Sequence, residues 1–133
     1  MQQQSRRDTV PERLLRSSLF SLGLRFRKHL RVVPGLRREV DVVFQSRRVA
    51  VFVDGCFWHG CPEHARPSKS NADWWSAKIA RTRARDSETD TILRNEGWLV
   101  IRVWEHEDPG FAAQCIAGLV AQRPVIRTAK PLQ

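Results

Sequence analysis

The chain has 133 residues, enough for one compact domain with its own hydrophobic core and too few for two ordinary domains. Hydrophobic residues make up 41% and charged residues 28%, which excludes a disordered chain, and no apolar run approaches the roughly 20 residues of a membrane span. The formal net charge of +9 favours a polyanionic partner such as DNA or RNA over a surface that is basic only for solubility. No signal-peptide pattern opens the chain, so we expect a cytoplasmic protein without a membrane partner.

The first predicted element is a helix over residues 10–22, which follows a polar N-terminus at residues 1–7 that we expect to be flexible. Thr9 can cap this helix, Pro11 suits its first turn, and Glu12 meets the positive end of its dipole. Leucines recur at helical spacing, at Leu14, Leu15, Leu19 and Leu22.

Strands are predicted next. Partial alternation indicates an edge strand within Leu24–Val32, after which Pro34 and Gly35 mark a turn. Two runs rich in β-branched residues, at residues 39–44 and 49–53, are separated by a short polar link. They predict an antiparallel hairpin.

The C-terminal half begins with a long helix, predicted over residues 72–96. A short apolar strand at residues 98–104 and an amphipathic helix at residues 111–122 follow. Cys115, on this last helix, is expected to be a small buried hydrophobe.

The order of these elements predicts an α/β fold, with a central mixed β-sheet flanked by helices. We assign residues 8–122 to this single domain and expect residues 123–133, with two prolines, to form a disordered tail. There is no internal repeat and no low-complexity segment.

The segment between the hairpin and the long helix carries metal-ligand chemistry. Cys56, Cys61 and His64 offer three ligands of the type that zinc prefers, and in a cytosolic chain they favour metal binding over a disulfide. Tetrahedral structural zinc needs a fourth ligand, for which His106 and His59 are both candidates. The histidine left outside the zinc shell can act as a general acid or base. A partly buried loop with free thiols is the alternative.

Three carboxylates form a second candidate site. Asp41 lies inside an apolar strand, where a carboxylate destabilises the fold unless it is paired or metal-bound, although strand alternation can also turn it to solvent. Glu12 and Asp86 lie on predicted helices and can either pair with arginines or join Asp41. Carboxylates around Mg²⁺ beside a histidine would suit phosphodiester hydrolysis.

Several motifs, in one order along most of the chain, carry a resemblance to a known family. They read DTVPERLLR, GLRFR, VDVVF, VAVFVDGCFWHGCPEH, WWSAKI, RARD and GWLVIRVWEHE. With these motifs the chain resembles the very-short-patch repair (Vsr) endonucleases. The segments FVDGCFWHGCPEH and VWEHE are the most specific part of the resemblance.

The resemblance implies a fold related to the PD-(D/E)xK restriction-endonuclease-like nucleases, with a structural zinc loop. It also implies a Mg²⁺-dependent DNA endonuclease, a hydrolase of phosphodiester bonds. Such enzymes nick double-stranded DNA 5′ of the mismatched thymine of a T:G pair and so start very-short-patch repair. We therefore expect a monomer whose partner is double-stranded DNA with a T:G mismatch, with contacts to other repair proteins left open.

The family's functional residues carry over to matching positions of this sequence. Catalytic roles are implied for Asp41, His59, Asp86 and Glu12. Mg²⁺ would be held by Asp41 and by the backbone carbonyl of Val53. The implied zinc ligands are Cys56, Cys61, His64 and His106. DNA contacts are implied for Phe57 and Trp58, which match aromatics that wedge into the duplex, and for Lys78, near the mismatched pair.

The chain also departs from the family pattern. Val40 replaces the usual proline before the catalytic aspartate, Thr82 replaces a frequent asparagine, and Leu36–Glu39 is longer. These changes bear on mismatch specificity more than on nuclease chemistry. Two rival functions therefore stay open, a restriction-type nuclease of the same fold without mismatch specificity and a non-catalytic, zinc-stabilised DNA-binding module.

Overall fold

The computed structural model describes residues 9–55 and 72–125, with the backbone alone for residues 72–75. In this part of the chain a four-stranded mixed sheet has the order β1-β2-β3-β4, with helices on both faces. The strands are β1 (Arg27–Leu30), β2 (Val40–Phe44), β3 (Val49–Asp54) and β4 (Leu99–Trp104), and the helices are α1 (Val10–Ser21), α2 (Ala72–Asn95) and α3 (Pro109–Gln122). The predicted α/β architecture is confirmed.

The sheet combines an antiparallel half with a parallel pair. β1 pairs antiparallel with β2, and β2 with β3 as the predicted hairpin, through a 3₁₀ turn at Gln45–Arg47. β3 and β4 run parallel, with Val49 beside Leu99 and Asp54 beside Trp104. A parallel pair needs a long crossover, and the chain between these strands includes α2. The C-terminal ends of β3 and β4 therefore lie side by side.

Two apolar layers cover the sheet, because side chains alternate along its central strands. Val49 and Val51 of β3 face α1 and α3, where Leu15, Leu19 and Ile116 complete one core cluster. The other face is formed by a second cluster, which comprises Val40, Val43, Ala50, Phe52, Leu93 and Trp98.

Two helices bury a narrower stripe than their sequences suggest. On α1, Leu15 and Leu19 are buried, whereas Leu14 is half exposed. On α3, the inward positions are taken by Ala112, Ala113, Ile116 and Val120. Cys115 is exposed because it lies between these positions, so its predicted burial is wrong.

Arg123 ties the end of α3 to the sheet. Its guanidinium donates to the carbonyl oxygens of Arg47, Arg48 and Gly97 at 3.1, 3.1 and 2.8 Å. Arg47 in turn donates to the carbonyl oxygen of Arg123 at 2.6 Å. Among the helices described, none has the length and hydrophobicity needed to cross a membrane.

Candidate active site

Asp41 is the centre of the candidate site. It lies in β2 between buried valines, and its own side chain is half-buried. Its Oδ2 accepts a hydrogen bond from the backbone nitrogen of Val53 at 2.8 Å. This bond holds the carboxylate beside Val53, the residue whose backbone carbonyl is implied by the resemblance to bind the metal.

Glu12 reaches the same place from the first turn of α1. Its side chain is only 2% exposed, although it is a carboxylate on a surface helix. Its Oε2 accepts from Arg16 Nη1 at 2.7 Å and lies 3.0 Å from His29 Nε2. The fold therefore brings Glu12 to Asp41 and adds His29, which is not among the predicted site residues.

His29 has an unusual backbone for a strand residue. Its φ of +54° is in the left-handed region, which non-glycine residues rarely adopt. On either side of it, Lys28 pairs with Val42 and Leu30 with Val40, so His29 lies opposite Asp41. The imidazole is 6% exposed. A single histidine in a polar edge strand belongs to no hydrophobic pattern that would predict its burial. Its left-handed backbone conformation and its position opposite Asp41 depend on strand pairing, which the local sequence does not predict.

Glu12, His29 and Asp41 together form a set of donors suited to a divalent cation. One ligand atom from each side chain lies within 4.8 Å of the other two. Two carboxylates and an imidazole are donors that divalent metal ions accept. We call these three residues the Glu12–His29–Asp41 cluster.

The electrostatics of Asp41 also fit a cation. The pKa of Asp41 is raised from 3.8 to about 7, mainly by burial and to a smaller extent by the nearby carboxylates of Glu12 and Asp54. The hydrogen bond from Val53 and the charge of Arg102 act in the opposite direction but do not prevail. The ionised form of Asp41 is therefore unfavourable at its buried position, and a bound divalent cation would stabilise it.

A second charged group lies on the α2 face of the sheet, around Arg102 of β4. Its guanidinium contacts Asp90 in a fork, with Nη2 2.7 Å from Oδ1, and its Nη1 lies 2.8 Å from Asp54 Oδ1. Asp86 Oδ1 is 3.7 Å from the same Nη1, and the guanidinium covers the ring of Phe52 at 4.2 Å. Asp86, predicted as a catalytic carboxylate, is therefore a neighbour of Arg102 in the described structure.

Two other predicted site residues, His106 and Lys78, lie outside both of these charged groups. His106 lies in the turn after β4, exposed, with its ring stacked against Trp104 at a centroid distance of 6.5 Å. Lys78 is half-buried on α2. Outside the described residues lie Cys56, Phe57, Trp58, His59, Cys61 and His64, so the zinc ligands among them, the catalytic histidine and the aromatic wedge stay predictions.

Comparison with known proteins relates the sequence of this chain to a family. Residues 1–64 match the family described as DNA mismatch endonuclease Vsr. Over 110 residues the chain is 50% identical to the type II nicking enzyme V.NaeI of Lentzea aerocolonigenes, covering 81% of this chain and 66% of that protein. It is 48% identical over 109 residues to the type II nicking enzyme V.XorIIP of Xanthomonas oryzae pv. oryzae, covering 80% of this chain and 77% of that protein.

Among solved structures, the catalytic domain of the homing endonuclease I-Bth0305I aligns with a TM-score of 0.46 and 18% identity, covering 86% of this chain and 90% of that one. The relatedness rests on sequence, since V.XorIIP is matched over most of its own length. The chain belongs to the Vsr family of DNA mismatch endonucleases.

Proposed function

We propose that this protein is a Mg²⁺-dependent endonuclease that nicks double-stranded DNA 5′ of the mismatched thymine of a T:G pair and so starts very-short-patch repair. The observation that carries the proposal is the Glu12–His29–Asp41 cluster, found in a member of the Vsr family. The net charge of +9 supports DNA as the substrate, because basic side chains pair with phosphates and release counterions.

The metal would be held by Asp41, by the backbone carbonyl of Val53 and by Glu12. Support comes from the hydrogen bond that the backbone nitrogen of Val53 donates to Asp41, which keeps these two residues together near the C-terminal end of β3. Bound there, Mg²⁺ would polarise the scissile phosphate and lower the pKa of a bound water. Arg16 holds the Glu12 carboxylate in place by donating a hydrogen bond of 2.7 Å to its Oε2.

Proton transfer would fall to His59, with Asp86 as its acidic partner. A histidine suits this work because its ordinary pKa is close to neutral pH. Asp54, which ends β3 five residues before His59 in sequence, lies with Asp86 around the guanidinium of Arg102. This common contact supports the assignment, since it puts the start of the loop that carries His59 near Asp86.

Zinc would fix the same loop through Cys56, Cys61, His64 and His106. In the parallel register Asp54 lies beside Trp104, and the nitrogen of Glu105 donates to the carbonyl oxygen of Asp54 at 2.9 Å. β3 therefore ends beside the turn that carries His106, which supports His106 as the fourth ligand. A loop locked in this way would direct Phe57 and Trp58 into the duplex, where a mismatch lowers the free energy of unstacking. Lys78 would contact the DNA near the mismatched pair.

A panel of duplexes tests the mismatch specificity. With Mg²⁺, nicking of T:G duplexes should exceed nicking of matched and 5-methylcytosine duplexes by about 10- to 100-fold, because a wrong base pair is worth about 1–3 kcal/mol in such interfaces. Randomised flanking sequences allow nicking in any sequence context, and Asp41→Ala is the matched inactive control. Equal rates on all three duplexes would favour the alternative of a restriction-type nuclease without mismatch specificity. Two of the relatives are named type II nicking enzymes, which makes this alternative worth testing. Absence of nicking by wild type, with DNA binding intact, would favour the non-catalytic module.

Zinc content tests the loop assignment separately. The purified protein should contain one zinc per chain and should melt at a lower temperature after chelation, since structural zinc contributes folding free energy. Elemental analysis should find zinc retained in His59→Ala and lost in His106→Ala. If His59→Ala loses its zinc instead, His59 is the ligand and its catalytic assignment is wrong.

A further inference from the structure

We propose that His29 is a direct ligand of the catalytic cation and that its nitrogen makes the site bind Mn²⁺ more tightly than Mg²⁺. The proposal rests on the proposed function for the presence of a cation at Asp41, and adds to it one ligand and one metal preference. His29 lies in none of the quoted sequence motifs and is not among the residues carried over from the family.

The separations between donor atoms suit one ion. Ligand atoms held about 2.1 Å from an octahedral ion are about 3 Å apart when adjacent and about 4 Å apart when opposite. His29 Nε2 lies 3.0 Å from Glu12 Oε2, which matches an adjacent pair. One ligand atom of each residue, including Asp41, lies within 4.8 Å of the other two. A shift of about an ångström in one side chain would therefore bring all three atoms to the distances expected around one ion.

Charge pairing alone does not account for the position of His29. Glu12 already has a cationic partner, because Arg16 donates to its Oε2 at 2.7 Å. His29 nevertheless directs Nε2 at the same oxygen, from a side chain that is 6% exposed, and does so opposite Asp41 across β1 and β2. An imidazole nitrogen enclosed with two carboxylates, one of them already paired, is the arrangement expected of a metal ligand.

The metal preference follows from the donor type. Mg²⁺ takes oxygen ligands and retains several waters, whereas divalent transition-metal ions gain more from an imidazole nitrogen. Replacing His29 by glutamine would offer an oxygen at similar reach. The substitution should therefore weaken the binding of Mn²⁺ far more than that of Mg²⁺.

Mn²⁺ spectroscopy on the full-length protein tests the ligand without DNA or turnover. Pulsed EPR of the wild type with one equivalent of Mn²⁺ should show coupling to a directly bound ¹⁴N nucleus, and this coupling should be absent in His29→Gln. Asp41→Asn should also remove it, which assigns the signal to this cluster rather than to another histidine. Lys28→Gln, on the neighbouring exposed position of β1, is the matched control and should retain the coupling.

Affinity measurements then test the preference. In His29→Gln, the Kd for Mn²⁺ should rise at least about tenfold while the Kd for Mg²⁺ changes by no more than about threefold. Wild-type protein without ¹⁴N coupling would overturn the ligand assignment, even if the variant were poorly folded. Equal weakening of both ions would overturn the preference. Absence of nicking with either ion, with the coupling present, would refute the proposed function and leave the assignment of His29 standing.

Discussion

In buffer without divalent cations at pH 8, Asp41→Asn should unfold at a higher temperature than the wild type. In nicking assays with Mg²⁺, the same variant should be at least about a hundredfold slower. Loss of nicking follows from removal of a metal ligand. The gain in stability follows from burial of Asp41 beside Glu12 and Asp54, which makes its ionised form unfavourable in the folded protein. Asparagine has the same shape, carries no charge and can still accept the hydrogen bond from Val53.

The sign of the pH dependence is fixed by the direction of the pKa shift. Folding raises the pKa of Asp41 from 3.8 to about 7, so between these values the folded protein binds more protons than the unfolded chain. The free energy of unfolding therefore falls as pH rises through this window. The full shift corresponds to at most about 4 kcal/mol at pH 8, and none of this loss is present below the pKa of the unfolded chain.

Thermal melts at pH 4 and pH 8 measure this effect. The melting temperatures of wild type and Asp41→Asn should nearly coincide at pH 4 and should differ by about 5–15 °C in favour of the variant at pH 8. Glu96→Gln, which removes an exposed carboxylate at the end of α2, is the control and should show no such change with pH. A variant less stable than wild type at pH 8 would mean that the Asp41 charge is compensated within the protein. Saturating Mg²⁺ should raise the melting temperature of wild type only, because binding to the folded state stabilises it.

The sequence predicts the sheet and helices well because each has a strong local signal. Val40–Phe44 and Val49–Asp54 are buried on both faces and read as continuous β-branched runs, and Gly97, with φ of +89°, ends α2 where a stop signal is expected. Burial was harder to predict. Cys115 has apolar neighbours in sequence, yet the helix directs Ala112 and Ile116 inward instead.

Residues of the candidate site could be predicted only where a residue type departs from the pattern of its predicted strand or helix. Asp41 is recognisable as a carboxylate within an apolar strand, and Glu12 as an acidic residue on a predicted helix that can join it, with a catalytic role implied by the resemblance. His29 and Arg102 gave no such signal, because their importance depends on which strands are adjacent. Arg102 is one basic residue among 23 until β4 is placed beside β3, where it meets Asp54. Contacts of this kind arise from topology, and the sequence of either strand alone does not contain them.

Arg102→Met should destabilise the fold by about 2–4 kcal/mol, the largest loss we expect from a single substitution outside the apolar core. Methionine keeps most of the packing against Phe52 but removes the cation that Asp54, Asp86 and Asp90 surround. Their side chains are only 11%, 25% and 14% exposed, so water would solvate the remaining charges incompletely. Removing one partner of a part-buried ion group destabilises the fold more than replacing the whole group by apolar residues, because the remaining charges lose their partner.

Denaturant titration of a small variant series separates charge from packing. Arg102→Lys should fall between wild type and Arg102→Met, because lysine keeps the charge but cannot form the fork to Asp90. Adding Asp54→Asn to Arg102→Met should recover part of the loss, since one unpaired carboxylate is removed, whereas Asp54→Asn alone should be destabilising. Additive effects of the two substitutions would mean that the pair is not coupled. Arg102 would then stabilise the fold mainly through its contact with the ring of Phe52.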